Sequence, residues 1–103
     1  MKVDVKKQNG IMNVAVTGEI NTVTTPQLMK EVDNLGGITK LVFDLDNVRY
    51  VSSAGLRLFL NCQRTMTEAG GEMMIVNCDE FVIETFVSVG YHRIINVKAK
   101  EML

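Results

Sequence analysis

Residues 41–57 read LVFDLDNVRYVSSAGLR, and this stretch carries the change from strand to helix on which the fold depends. Its first five residues are a nearly continuous apolar run, which is typical of a central strand covered on both faces. Asp46 and Asn47 interrupt that run. Serine is a preferred residue at the start of a helix. The stretch therefore predicts a buried strand over residues 41–45 and a helix that begins near Ser53.

The predicted helix continues from this serine to residue 69. Apolar side chains recur on one face at helical spacing. The opposite face is polar and comprises Arg57, Asn61, Arg64 and Glu68. Gly70 and Gly71 are typical of a helix end. A second buried strand is predicted over residues 72–76.

The chain before residue 41 predicts a β-hairpin. Apolar and polar residues alternate over residues 3–7 and again over residues 11–16. Between them stands Asn9-Gly10, which is a strong hairpin signal. The antiparallel hairpin therefore forms the start of the sheet.

A first helix follows the hairpin. Thr24 is a suitable N-cap, Pro26 fits the first turn, and Thr24 with Gln27 matches a capping box. Gly36-Gly37 ends this predicted helix. The methionines, Met29 among them, are expected to fill the core.

The remaining chain predicts a third helix and a last strand. Asp79 is a suitable cap, and the helix ends at Gly90. Residues 94–97 predict the last strand, and residues 98–103 a mixed tail. The order β-β-α-β-α-β-α-β predicts an α/β fold with a largely parallel sheet, with right-handed crossovers and the hairpin at one end.

Length and composition exclude several classes of protein. The 103 residues fit one domain, which we place at residues 1–103. The net charge of −1 does not favour a nucleic-acid partner or a membrane surface. No apolar stretch approaches the roughly 20 residues of a membrane helix, and no signal peptide is evident. We therefore expect a cytoplasmic protein.

Cysteine and histidine do not suggest a metal centre or a catalytic triad. Cys62 and Cys78 have no partners at metal-ligand spacing, and we expect two buried thiols. His92, the single histidine, is expected in a loop after Gly90. We expect no metal and no cofactor.

Two features are candidates for chemistry. Asp44 and Asp46 lie at the carboxyl end of a predicted strand, where ligands bind in parallel sheets. With no histidine or lysine beside them they make a poor catalytic pair, and a solvated strand end is the simpler interpretation.

Ser52 and Ser53 stand where a loop becomes a helix. One of them suffices as a cap, so the other is a candidate phosphate acceptor beside the free N–H groups of the first turn. The alternative is that both serines serve the helix start alone.

The chain resembles the anti-sigma factor antagonists, the stand-alone members of the STAS domain family. The resemblance covers nearly the whole chain. It rests on residues 17–21 (TGEIN), 41–45 (LVFDL), 48–57 (VRYVSSAGLR) and 70–72 (GGE), taken together and in this order. It implies a mixed β-sheet with helices packed mainly on one side, and a protein that is not an enzyme.

The resemblance also implies partners and a switch. The unmodified domain would bind an anti-sigma factor that is also a serine kinase and would thereby release a sigma factor. The kinase would phosphorylate Ser53, with Ser52 as the alternative position, and a metal-dependent serine phosphatase would reverse the modification. In the family, aspartate often stands at the positions of Asn21 and Ser52, so this chain carries less negative charge beside Ser53.

The expected partner surface surrounds that serine. It comprises Glu19, Asn21, Thr22, Asp44, Asp46, Asn47, Ser52, Ser53, Ala54, Gly55, Arg57 and Asn61. Two other hypotheses stay open: a non-switching STAS scaffold that docks in a larger signalling assembly, and a small enzyme that uses Asp44 and Asp46.

Overall fold

The computed structural model of the chain describes residues 1–101, and the order of its elements is the predicted one. The elements are β1 (Lys2–Gln8), β2 (Ile11–Thr17), α1 (Thr25–Glu31), β3 (Lys40–Asn47), α2 (Ser53–Glu68), β4 (Glu72–Cys78), α3 (Glu80–Ser88), a 3-10 turn (Tyr91–Arg93) and β5 (Asn96–Ala99). The domain predicted over residues 1–103 and the tail predicted over 98–103 both include positions 102 and 103, which lie outside the described residues.

The five strands form one sheet in the order β1-β2-β3-β4-β5. β1 and β2 pair antiparallel around a turn in which Asn9 and Gly10 both have positive φ, at 52° and 79°. Such a turn matches the twist of the two strands. The pairs β2–β3, β3–β4 and β4–β5 are parallel. The mixed α/β sheet that begins with a hairpin is thereby confirmed.

The core lies between one face of the sheet and the helices. Phe43 of β3 meets Phe59 of α2 edge to face, with ring centroids 4.9 Å apart. Phe59 in turn lies 5.7 Å from Phe86 of α3. All three rings are fully buried. This row of aromatic rings ties the central strand to two helices.

The opposite face of the sheet is open, so the prediction of a central strand covered on both faces is wrong. Within β3, burial alternates: Leu41, Phe43 and Leu45 are buried, whereas Val42 and Asp44 are only half-buried. Val42 makes the apolar run in the sequence continuous, but no second layer of helices within residues 1–101 covers the face of the sheet on which it lies. The helices pack on one side, as the family resemblance implied.

α1 is shorter than predicted. It ends at Glu31, five residues before the glycine pair, because Asn34 closes a local turn: its side-chain Oδ1 accepts a hydrogen bond from the backbone N–H of Gly36 at 3.0 Å. Asparagine competes with helix geometry in this way. Met29, expected in the core, is 50% exposed on this short helix.

The predicted capping box at the start of α1 does not form. Thr24 has helical backbone angles, and its side chain does not cap the helix. Its hydroxyl instead donates to the carbonyl oxygen of Glu19 at 2.7 Å. Asn21 closes the turn that precedes the helix, since its Oδ1 accepts from the backbone N–H groups of Val23 and Thr24, each at 2.9 Å. The N-cap position is therefore Thr24, as predicted, but its side chain bonds to the loop before the helix and not to the helix itself.

The last strand begins later than predicted. After Gly90, whose φ is 76°, the chain makes a 3-10 turn over Tyr91–Arg93, and β5 starts only at Asn96. The Nζ of Lys100 then binds Asp46, at 2.9 Å from its carboxylate Oδ1 and 3.0 Å from its carbonyl oxygen. The chain end is thereby joined to the end of β3.

Candidate functional site

The two serines at the start of α2 have different environments. Ser52 has an extended backbone, and its Oγ accepts a hydrogen bond from the backbone N–H of Gly55 at 3.2 Å. It is only 9% exposed. Ser53, the first residue of the helix, is exposed. Ser52 therefore caps the helix, and Ser53 presents its hydroxyl to solvent beside the positive end of the helix dipole.

A neighbouring loop is fastened to this helix start by backbone hydrogen bonds. The N–H of Ile20 donates to the carbonyl oxygen of Tyr50 at 3.0 Å, and the N–H of Ser52 donates to the carbonyl oxygen of Ile20 at 2.8 Å. Ile20 and Val51 form an isolated parallel bridge. The segment of Glu19, Asn21 and Thr22 is thus fastened to the residues that lead into α2.

Within this loop, Asn21 provides the acceptor that an aspartate would provide. Its Oδ1 holds the turn before α1, while its Nδ2 lies 3.5 Å from Oε2 of Glu19. The amide keeps the turn without adding a negative charge. The remaining carboxylate of this loop is the exposed one of Glu19.

The carboxylates of β3 have hydrogen-bond or ion-pair partners of their own. Asp44 lies on the open face of the sheet, where its Oδ1 accepts from Asn77 Nδ2 at 3.1 Å and from the backbone N–H of Asp46 at 3.0 Å. Asp46 is paired with Lys100. Only Asn47 joins the loop, through a 3.1 Å hydrogen bond from the N–H of Gly18 to its carbonyl oxygen.

The outer face of α2 completes the site. A recess of about 200 Å³ lies at Ala54, the residue that follows Ser53. It is lined by Thr22, Thr25, Pro26, Met29, Ala54, Arg57, Leu58 and Asn61. Four of these, Thr22, Ala54, Arg57 and Asn61, were predicted from the sequence. The contribution of α1 was missed, because only the packing of α1 beside α2 reveals that Met29 lines the recess.

The two cysteine thiols are buried in the core. Burial raises the pKa of Cys62 and of Cys78 to about 12, and Asp79 and then Asp44 add to the shift at Cys78. Both are buried free thiols, as predicted.

Within residues 1–101, no three metal-ligating side chains cluster, and no helix has the length and apolarity to span a membrane.

Comparison with known proteins gives concordant findings. The STAS domain model matches residues 2–102. The anti-sigma-B factor antagonist of Bacillus subtilis (strain 168) is 30% identical over 101 residues, which cover 97% of this chain and 93% of that protein.

Solved structures share the fold. The anti-sigma factor antagonist SpoIIAA in its unphosphorylated form superposes with a TM-score of 0.82 at 15% identity, covering 93% of this chain and 87% of that one. The phosphorylated form of SpoIIAA, described as a Bacillus cell fate determinant, gives a TM-score of 0.75 at 14% identity and covers 93% and 90%.

Proposed function

The chain belongs to the STAS domain family, and we propose that it is an anti-sigma factor antagonist whose binding to an anti-sigma factor kinase is switched off by phosphorylation of Ser53. The observation that carries the proposal is the contrast at the start of α2. Ser52 is buried and engaged as a cap, whereas Ser53 is exposed at the same helix end. One hydroxyl is thus available to an enzyme without unfolding the helix.

The unmodified chain would present a continuous surface to the kinase. That surface comprises Glu19, Asn21, Thr22, Asn47, Ser53, Ala54, Arg57 and Asn61. Backbone hydrogen bonds between the Ile20 loop and the α2 start make it rigid before binding. A rigid surface loses little conformational entropy on association. Occupying the kinase would leave the sigma factor free.

Phosphoryl transfer would use chemistry supplied by the partner. The Ser53 Oγ would attack the γ-phosphorus of ATP, the bond from that phosphorus to the bridging oxygen would break, and ADP would leave. The hydroxyl proton would pass to a base of the kinase. The chain itself contributes the nucleophile, so it is a substrate and binding module, not an enzyme. Because its partner would consume ATP and control transcription, we place the chain in the cytoplasm.

The phosphate would eject the partner by its charge. It adds about −1.5 to −2 charges at neutral pH. The helix N-terminus offsets only about 0.3–1 kcal/mol at an exposed site. Burying the unpaired anion in the interface would cost several kcal/mol, and each 1.4 kcal/mol is about tenfold in affinity. We therefore expect phosphorylation to weaken binding about a hundredfold or more. A metal-dependent serine phosphatase would restore the active form.

Incubation with the purified kinase and ATP, followed by mass spectrometry, tests the proposal. We expect one phosphate on Ser53 and none on Ser52, and loss of the phosphate in Ser53→Ala. The variant Ser53→Asp should bind the kinase more weakly than wild type. Stable binding with no phosphate on either serine would contradict the switch and favour the non-switching scaffold, while unchanged affinity of Ser53→Asp would contradict the electrostatic mechanism.

A further inference from the structure

The outer edge of β1 is open to a further strand. Within residues 1–101, β1 pairs on one side with β2 and has no strand on its other side. The carbonyl oxygen of Gly10, just before β2, accepts a hydrogen bond from the N–H of Thr39, just before β3. The N–H of Gly18, just after β2, donates to the carbonyl oxygen of Asn47 in β3. Because neighbouring residues of a strand turn their backbone groups to opposite sides, the even-numbered residues of β2 bond to β3 and the odd-numbered ones to β1.

The pairing within the hairpin shows which backbone groups address the open edge. The β1 residues opposite the odd-numbered residues of β2 are Lys2, Asp4, Lys6 and Gln8. Their N–H and C=O groups are used within the hairpin, so those of Val3, Val5 and Lys7 point away from β2. The side chains of Val3 and Val5 are half-buried on the helix side of the sheet. Asp4 and Lys6 alternate with them and are exposed on the open face.

We propose that this edge pairs with the same edge of a second copy of the chain, antiparallel and centred on Val5, in a symmetric dimer with one continuous sheet. A twofold axis perpendicular to the sheet makes the pairing self-complementary and closed. Val5 would exchange both backbone hydrogen bonds with Val5 of the second copy. Val3 would do the same with Lys7 of the second copy, so every outward backbone group of these three residues would find a partner.

Charge on the open face favours a second copy of this chain as the occupant. With the axis at Val5, Asp4 lies opposite Lys6 of the second copy, and the symmetry repeats this pair. These are positions without backbone hydrogen bonds between the two residues, at which facing side chains come closest. Opposite charges that face each other stabilise a pair of strands. Within one chain, Asp4 has only a long contact to an exposed side chain, 3.9 Å from Nζ of Lys2.

The same charges select the register. An axis at Asp4 or at Lys6 would set that residue opposite its own copy, and like charges directly opposite are destabilising. An axis at Val3 would match Lys2 with Asp4, but it would pair only the first residues of the strand. Val5 is the midpoint of β1, which spans Lys2–Gln8, so the proposed register alone combines complementary charge with the whole strand. Lysines on an edge strand discourage other partners, and only this register neutralises Lys6 along the full edge.

The dimer is expected to be weak. Seven residues from each chain are far fewer than the roughly 20–30 residues that each partner contributes to a standard interface. Association should therefore depend on concentration, and the strand pairing should loosen as salt screens the exposed charges.

Sedimentation equilibrium of the purified chain, from about 10 μM to about 1 mM, covers the range of weak association. We expect the average mass to rise from 11.5 kDa toward that of two chains. Asp4→Lys and Lys6→Asp should each raise Kd at least about tenfold, because each change sets like charges opposite each other at two places. An equimolar mixture of these two variants should associate again, since every facing charged pair in the mixed dimer has opposite signs.

A matched control separates this pairing from a general effect of charge. Glu84→Lys makes the same change of net charge as Asp4→Lys at an exposed position of α3, and it should leave Kd unchanged. Unfolding midpoints should show that all the variants are folded.

Cysteine cross-linking measures the register directly. Oxidation of Val5→Cys should give a disulfide-linked dimer, because the two α-carbons at the axis would lie about 5.5 Å apart, within the range of a disulfide. Val3→Cys should cross-link much more slowly, since its two copies would be offset by four residues, or roughly 13 Å. Wild type, whose cysteines are both buried, gives the background rate.

Three outcomes would overturn the proposal. The first is a wild-type mass that stays at that of one chain over the whole range. The second is association that Asp4→Lys leaves unchanged, because another surface, such as the β5 edge or the open face of the sheet, would then hold the second copy. The third is equal cross-linking of Val3→Cys and Val5→Cys. Neither measurement uses the kinase, so the proposed function is tested separately.

Discussion

A methyl group on the α-carbon of Gly55 would lie 2.6 Å from the Cγ2 atom of Ile20. The same methyl group would approach Cγ1 of Val51 at 3.0 Å. Ile20 is fully buried, and its carbonyl oxygen holds the N–H of Ser52. The glycine therefore allows the loop that carries Asn21 to dock against the start of α2, and it fixes where this loop stands relative to Ser53.

Gly55→Ala should lower the free energy of unfolding by about 1–2 kcal/mol. Overpacking of a tight core contact costs about 1–3 kcal/mol, while alanine returns up to about 1 kcal/mol of helix propensity. Urea denaturation measures the change. In Gly36→Ala, the new methyl group meets only the Asn34 side chain, at 3.2 Å, and this control should stay within about 0.5 kcal/mol of wild type. Similar values for the two variants would contradict the packing argument.

Ser52→Ala and Ser53→Ala should separate stability from modification. Loss of the Ser52 cap should lower the free energy of unfolding by about 0.5–2 kcal/mol and leave Ser53 a kinase substrate. Ser53→Ala should change stability by less than about 0.5 kcal/mol, because the residue is exposed and does not cap the helix. Denaturation and phosphate mapping on both variants check this. The reverse pattern would show that the roles of the serines are exchanged.

Asn21→Ala should lower the free energy of unfolding by about 1 kcal/mol, since it removes the acceptor for the N–H groups of Val23 and Thr24. Asn21→Asp keeps that acceptor and should stay close to wild type in stability. Thermal unfolding of both variants at one pH gives the comparison. Equal loss in the two variants would mean that the amide nitrogen, not Oδ1, is what the turn requires.

Stability should fall in alkaline solution because of the buried thiols. Burial raises the folded-state pKa of Cys62 and Cys78 to about 12, so the folded chain keeps protons that the unfolded chain loses at lower pH. The contribution of these thiols to stability is therefore complete below the unfolded pKa, and it decreases from about pH 9 to pH 12. Denaturation across this range should show a steeper decline for wild type than for the double variant Cys62→Ala/Cys78→Ala. Parallel curves would contradict the assignment.

Several features were predictable because their signals are local. A tight hairpin turn requires positive φ at two successive residues, and Asn9-Gly10 is a pair that adopts it readily. Asp79 was read correctly as a helix cap, and its Oδ1 accepts from the N–H of Val82 at 2.9 Å. The Ser52-Ser53 pair was located correctly as the start of α2. The residues that form a turn or a cap interact with backbone groups no more than three positions away. Their effect can therefore be predicted from a short stretch of sequence.

The end of α1 was not predictable in the same way. Apolar residues continue with helical spacing through Val32 and Leu35, but the turn closed by Asn34 stops the helix at Glu31. Likewise, periodicity did not reveal that Asp44 points to the open face of the sheet. The side-chain hydrogen bond of Asn34 determines where α1 ends, and the packing of the helices on one face of the sheet determines the environment of Asp44.

The sequence by itself determined the order of strands and helices and the position of the serine pair, because hydrophobic period, caps and turns act between near neighbours. Only the tertiary structure decided which serine is exposed, that Asp44 bonds to Asn77, and that Met29 and Ala54 line one recess. Those properties depend on which segments distant in sequence pack together, as Ile20 does against Gly55, and no single segment specifies its partner.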